Sequence, residues 1–541
     1  MEQERLQLNI DDDLLQRNIN AYLTKQYDSQ ITRVEADAKS VTIQGNYFGK
    51  GKAMLCEIAP WENLTLIKKF NFGEKVTQRS FSIKIDRYVY RDGFFYDRSL
   101  SKWVLVRPGN KKDKIISHAR YVDYIQPKQA MSAPVLVSRK GLSYVNANKY
   151  VPDFDDLQLG VCSVNLPLTE FVCLDPLPNT IPHAYGGKTY YMSKKAVDFY
   201  DRTIMAATQR NMIVAALVLV LPSSNTASKW ADPKAGSLLL NKNCTYSAIQ
   251  AMPNMTSAEA VNCYAAGMDF LASRYCRSDN AYGRVHHWVI HNEVDAGTLW
   301  TNMGKDRPMS VYMDTYYKSL RLCYQIAREY DAYSEVLASF THSWTAAVND
   351  YPTLDMIKEL QSYAIEGDFH WGLAYHPYPE DLTEPKTCND VYPTFNMNTP
   401  RITFKNLEVL DAWIKKPENK YMGTQKRTLW LAENGTNSKT YEGQDLQEQA
   451  AGLAYAWEKF KVLDGIDAFL YHAWIDNRCE FGLRIGLRRF DNDETDPGGR
   501  KPIWFVYQAA GTDQEDAVFD PYKSIIGISD WAEIMQEVED K

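Results

Sequence analysis

The chain has 541 residues, 45% of them hydrophobic and 24% charged, with a net charge of −7. That length exceeds one ordinary core, so two or three domains are expected, each able to bury a large apolar interior. The acidic balance gives no reason to expect nucleic acid as a partner. The longest apolar run, Met212 to Pro222, is about half of what a membrane-spanning helix needs, so no membrane partner is expected either.

The opening residues carry neither a basic n-region nor an apolar h-region. The expectation is a cytoplasmic protein, or one whose leader has been removed. Nine cysteines, odd in number and with no CxxC pair, favour reduced thiols over a disulfide framework or a zinc ribbon. Four N-x-S/T sequons occur, one of them at Asn434 beside Glu433. A glycan there would obstruct the site argued for below, so the sequons are read as chance and the origin as bacterial.

In chain order, residues 1–27 read as a helical or loosely ordered lead-in. Across 28–130 the pattern alternates with period two, as in Ser40-Val41-Thr42-Ile43-Gln44-Gly45 and Phe81-Ser82-Ile83-Lys84-Ile85, with turns at Gly45, Asp92-Gly93 and Pro108-Gly109. Short strands at this spacing with no helical window between them predict a β-sandwich of about 100 residues. Its aromatics Tyr88, Tyr90, Phe94, Phe95 and Tyr96 suit either a sugar platform or the core and domain interface, the second being the plainer reading. Residues 131–158 read as a linker.

From 159 to 541 the period changes. A strand at Leu159–Val164 is followed by a helix over 193–210 with Ser193 as its N-cap, then a buried strand over 211–221. A helix over 257–277 opens on a capping box at Ser257-Ala258-Glu259-Ala260. Strand 285–293, helix 311–330, strand 335–344, a helix near 353–366, strand 371–378, helix 403–416, strand 428–434, helix 444–463, strand 468–474 and helix 503–510 complete the series. Apolar strands alternating with helices imply a parallel sheet covered on both faces. About 380 residues suffice for a (β/α)8 barrel with long loops. No GxGxxG or GxxxxGK[ST] turn occurs, which counts against an open doubly wound sheet.

Two strands share one grammar. Val285-His286-His287-Trp288-Val289-Ile290-His291-Asn292-Glu293 and Thr428-Leu429-Trp430-Leu431-Ala432-Glu433 are apolar runs that end on a carboxylate. Catalytic groups of parallel α/β folds sit at the carboxyl ends of strands, and glycoside hydrolysis needs two carboxyl groups there. One must stay protonated to release a poor leaving group, and burial near a second carboxylate favours that for Glu293. The other must be ionised to attack the anomeric carbon, and Glu433 is the candidate.

On these residues the stretch from about 159 to 510 resembles the clan A glycoside hydrolases. The Asn292-Glu293 pair matches that clan's Asn-Glu signature at strand four, and Glu433 in Leu-Ala-Glu-Asn matches its strand-seven glutamate. The resemblance implies a (β/α)8 barrel, Glu293 as acid/base and Glu433 as nucleophile of a retaining β-glycosidase, with no cofactor or metal and a carbohydrate as substrate. Asn292 is then expected on the sugar 2-hydroxyl. Clan members often set a strand-six tyrosine against the nucleophile, a place that Tyr378 or Tyr375 can take beside His376. They commonly place a tryptophan under the sugar at strand eight, here Trp474. His342 and Trp344 end strand five and join the candidate substrate contacts. The arginine that braces the nucleophile in many members has no obvious counterpart.

Three other readings stand beside this one. A barrel that binds carbohydrate without turnover would retain the fold. Rim histidines with carboxylates can hold zinc, although no HxH or HExxH motif occurs. Arg478, Arg484, Arg488, Arg489 and Arg500, in the loop 476–500, would suit an anionic sugar, but salt bridges within a solvated loop are the better expectation.

Overall fold

The computed structural model describes residues 11–70, 73–91, 93–225 and 229–539. Residues 1–10 of the lead-in and Asp92 of the turn at Asp92-Gly93 lie outside them. Within the rest of the lead-in a helix, Asp12–Thr24, is capped by the Asp11 carboxylate, which accepts from the Asp13 backbone N–H.

The N-terminal domain is a two-sheet sandwich. One sheet has the order Tyr124–Ile125, Gln30–Ala36, Ser40–Asn46, Ser80–Asp86, and the other Gly73–Val76, Ala53–Ile58, Lys102–Arg107, Lys114–Ile115. Val34, Val41, Ile43, Leu55, Trp103 and Leu105 meet between the sheets, as period-two alternation requires. The second sheet is apolar on its other face too, where Cys56, Ile58, Val104 and Val106 pack on Tyr22 of the leading helix. The sandwich aromatics divide: Tyr96 is buried, whereas Tyr88 and Phe95 stack at 5.7 Å on an exposed hairpin beside Tyr90.

The second domain is a closed, all-parallel (β/α)8 barrel. Its strands are β1 (Lys140–Leu142), β2 (Val161–Pro167), β3 (Ile213–Leu219), β4 (His287–Ile290), β5 (Glu335–Phe340), β6 (Trp371–Tyr375), β7 (Leu429–Asn434) and β8 (Ala468–Tyr471). Val161, Ala215, Leu217, Val289, Leu337, Ala374, Trp430 and Leu470 fill the interior, and the outward residues pack under the helices.

One boundary is corrected. Residues 131–158 are no mere linker, because they hold β1, which closes the barrel by pairing with β2 on one side and β8 on the other. Gly141 is required there: a Cβ would sit 2.3 Å from Val161 Cγ2. Two helix starts also differ from expectation. Ser193 precedes the helix Lys194–Thr208 without a side-chain cap bond. Ser257 caps Ala258–Tyr275 alone through Ala260 N–H, since alanine at that position cannot reciprocate as a capping box needs. All nine cysteines are free thiols. Among the described residues no helix is long and apolar enough to cross a membrane.

Two buried ion-pair clusters join the domains. Glu366, fully buried, accepts from Lys102 Nζ at 2.7 and 2.9 Å and from the Tyr22 hydroxyl at 2.7 Å. Arg87 bridges Asp97 of the sandwich and Glu329 of the barrel helix Met309–Tyr330.

Candidate active site

Backbone irregularities aim both glutamates inward. At the end of β4, His291 and Glu293 take left-handed conformations (φ +62° and +40°), which bulky L-residues rarely adopt. The strain is held by β5: Ser339 Oγ accepts from Glu293 N–H at 3.0 Å and Ser339 O from Val294 N–H at 3.0 Å. Asp295, buried just beyond, takes Thr341 N–H, Ser343 Oγ and Thr353 Oγ1 and so ties this turn to the β5 loop. At β7 the pairing with β8 shifts between Leu431 and Asn434, a bulge of the kind that re-aims a side chain. Asn434 pins the bulge, its amide donating to Leu431 O and Leu470 O at 3.0 and 2.9 Å. Fully buried in this role, Asn434 has no room for a glycan.

The two carboxylates face one another, each side chain 12% exposed. His376, at the end of β6, stands between them with Nδ1 2.8 Å from Glu293 Oε1 and 3.7 Å from Glu433 Oε2. These three ligand atoms lie within 4.8 Å of one another. Tyr378 donates to Glu433 Oε1 at 3.0 Å, and Tyr144, just after β1, donates to Oε2. Tyr378 rather than Tyr375 therefore meets the strand-seven glutamate; the Tyr375 hydroxyl is spent on Ser343 O and Ile402 O. Burial, with the neighbouring Asp295 charge, pushes the Glu293 carboxyl up to about 8. Burial also lowers the His376 imidazole below its ordinary range, which keeps it neutral.

A divalent cation would fit the spacing of Glu293, His376 and Glu433. The donor atoms are nevertheless already engaged: both Glu433 oxygens accept from phenols, and Glu293 Oε1 meets His376. His286 and His287 lie at the amino end of β4, and His291 is turned outward onto Ser319 Oγ.

Other expected residues fall in two groups. Asn292 is buried beside Glu293, its Oδ1 3.4 Å from Ser339 Oγ. His342 follows β5 within electrostatic reach of His376, and burial takes its ring down to about 4. Trp344 and Trp474 do not reach the cleft, which corrects their assignment as substrate contacts. Trp344 is 0% exposed among core residues, its indole N–H given to Met397 O. Trp474 is buried against Phe154 and donates to Asp153. Trp344 packs edge-on against Trp413 of the helix Leu407–Lys415 at 5.4 Å, and both indoles belong to the core under the helices.

His472 occupies the rim at β8 instead, its Nδ1 3.0 Å from Ser143 Oγ and its ring edge-on to Tyr144 at 5.1 Å. Sequence reading placed His472 only among the rim histidines of the zinc alternative, and passed over Tyr144 and Glu480, whose carboxylate lies 3.4 Å from His472 Nε2. A signal for Tyr144 existed. Counting from Leu159 makes Glu293 end the third strand, so the missing strand had to precede 159. No arginine braces Glu433 among the described residues; Tyr144 stands there. At the mouth, Phe481, 66% exposed, meets Trp300 edge-on at 6.4 Å.

The chain is similar in structure to a family 39 glycoside hydrolase from the gut symbiont Bacteroides cellulosilyticus WH2, at 14% identity and TM-score 0.46, over 90% of this chain and 83% of that one. It is also similar to a family 1 β-glucosidase from Thermotoga maritima, at 14% identity and TM-score 0.40, over 66% and 84%. An FMN-binding β-glucuronidase from Facaelibacterium prausnitzii L2-6 aligns at 13% identity and TM-score 0.35, over 89% of this chain and 61% of that one. No curated protein matches the sequence. Residues 132–534, which take in the barrel from before β1 to past β8, match DUF5722, a family of unknown function, and the chain belongs to that family.

Proposed function

We propose that the protein is a retaining β-glycoside hydrolase acting on an oligo- or polysaccharide, with Glu293 as acid/base and Glu433 as nucleophile. The observation that carries this reading is a pair of carboxyl groups with oxygens within 4.8 Å across a cleft; burial, which pushes Glu293 up to about 8, suits it to the acid's part. Retaining enzymes set their carboxyl groups about 5–5.5 Å apart, too close for the water that an inverting enzyme must fit between them. Two phenols donating to Glu433 need an acceptor, which is the ionised form that attacks. In the first step a Glu433 oxygen bonds the anomeric carbon as the glycosidic bond breaks, and the Glu293 proton passes to the leaving oxygen. In the second, Glu293 takes a proton from water, whose oxygen attacks the anomeric carbon and frees Glu433. Neutral His376 holds Glu293 in line, and Asn292 is the nearest amide for the sugar 2-hydroxyl.

The test separates the two roles. Glu433→Ala should be inert on every glycoside. Glu293→Ala should retain its first step on dinitrophenyl glycosides, accumulate glycosyl-enzyme and yield a β-glycosyl azide with added azide. A β-azide from Glu433→Ala, with Glu293→Ala inert alone and yielding the α-azide, would reverse the roles. One feature favours a second reading, the metal-like spacing of Glu293, His376 and Glu433. Activity that survives prolonged chelation supports the proposal, and activity lost to chelator and restored by zinc supports the metal.

A further inference from the structure

Glu480 is a third carboxylate at this site, with no part in the two steps above. It sits on the loop after β8, eight positions past His472, and the loop is built to place it. Its N–H donates to Asn477 O at 3.0 Å, its carbonyl accepts from Leu483 N–H at 2.8 Å, and Asn477 Oδ1 accepts from Cys479 N–H at 3.0 Å. The side chain is 24% exposed, and its charge is felt at Glu293, Tyr144 and Tyr378 alike. Its Oε1 lies 3.4 Å from Nε2 of His472, whose ring stands edge-on to Tyr144, so Glu480 sits at the same rim. His472 stands behind it, fixed by Ser143 and Tyr144. Burial disfavours a charge on that ring, but Glu480, Glu433 and Glu293 outweigh burial and raise it above its ordinary range.

The charge balance of the pocket follows. Glu433 and Glu480 carry the negative charge beside His472 while Glu293 keeps its proton, and among the described residues no lysine or arginine pairs with any of the three carboxyl groups. The arginines of the neighbouring loop are committed elsewhere. Arg488 forks onto Asp153, Arg500 pairs with Asp156, Arg484 bonds Lys439 O, Arg489 meets Asp493 and Arg478 lies over Phe490. Arg401 lies on the segment that pairs with the β5 loop beside His342, acts on that ring and rests on the Tyr392 ring at 4.6 Å.

We propose that Glu480, backed by His472, selects the charge of the sugar in the innermost site: a ring bearing only hydroxyl groups is taken and the corresponding uronate refused. The proposal rests on the glycosidase reading. A carboxylate offers acceptors only, so it suits hydroxyl donors through charge-assisted bonds. Against a uronate it offers no donor and adds like-charge repulsion in a poorly solvated pocket.

The experiment compares dinitrophenyl β-glycosides that differ only at C6, hydroxymethyl against carboxylate, in the gluco, galacto and manno series. Wild type should favour the neutral member of its best pair by about 100-fold or more in kcat/KM. Glu480→Gln should lose roughly 10- to 100-fold on that neutral substrate, mainly in KM. The ratio between the pair should fall by at least about 10-fold, because removing the charge relieves the uronide. A merely structural role would lower both substrates together and leave the ratio fixed. A uronide preferred by wild type, or a ratio unmoved in Glu480→Gln, overturns the selection and leaves the glycosidase reading standing; loss of that uronide activity in Arg401→Ala would name the cation responsible. Failure of wild type on every dinitrophenyl glycoside overturns the glycosidase reading itself, and the selection with it.

Discussion

Glu293 is the residue on which pH acts most directly. Its carboxyl titrates at about 8 in the fold, raised by burial and by Asp295, against roughly 4.3 for a solvated glutamate. In the proposed role of general acid it works while protonated, so kcat/KM on substrates with poor leaving groups should fall as pH rises through about 8, and activated aryl glycosides should lack that limb. The same shift bears on stability. The folded state binds this proton more tightly than the unfolded chain, so the contribution is complete below the unfolded pKa and is lost as pH climbs towards 8. Glu293→Gln removes that loss. The unfolding midpoint of the variant should gain on wild type by ~2–4 °C between pH 5 and pH 9, measured by calorimetry; a difference that stays flat or shrinks would refute the buried, protonated acid.

Among the elements, the loop after β8 is tied down at a buried carboxylate, Asp153. Asp153 receives Arg488 Nε at 2.6 Å and Nη2 at 2.7 Å, and the Trp474 indole at 2.8 Å. Arg488→Leu leaves that carboxylate buried without its main partner, a loss of about 3–5 kcal/mol. The loop should then open to trypsin at Arg478 and Arg484, and the paired change Asp153→Asn with Arg488→Leu should regain most of the stability; additive losses would deny the coupling. The strand ends that carry the glutamates were legible because each is an apolar run broken by a carboxylate. β1 was not, since Lys140-Gly141-Leu142 offers one apolar side chain and no periodicity. Its place comes from β2 and β8, two partners distant in sequence, and with it went Tyr144. The tryptophans failed for a related reason: proximity to a strand in sequence says nothing of which way the chain turns once the strand has ended. Glu480 lies in a loop, where no period marks direction.

For the molecule as a whole, Glu366 draws three elements together: the leading helix through Tyr22, the sandwich through Lys102 and the turn before β6. Glu366→Ala strands a buried ammonium at the junction, at a cost of about 3–5 kcal/mol. Unfolding should then resolve into two calorimetric transitions, sandwich before barrel, where wild type should show one. A single transition, merely lowered, would mean that the other contacts hold the domains together without this cluster. The division into sandwich and barrel was readable from the change of hydrophobic period near 159, whereas the residues that join the two were hidden, because a lone Lys102 or Glu366 looks like any surface charge until its partner arrives.

The three-residue strand β1 also sets an order of events during synthesis. It leaves the ribosome before any other barrel strand, yet one of its two edges stays unpaired until β8 has been made more than 300 residues later. At synthesis rates of about 5–20 residues per second that is an interval of tens of seconds. For most of it the Tyr144 phenol has no Glu433 to meet, and throughout it β1 has an open edge, a standing invitation to pair with the wrong chain. A nascent chain stalled before residue 468 should therefore bind holdase chaperones and cleave readily near 138–144, and release of the completed chain should protect that segment and switch on activity together.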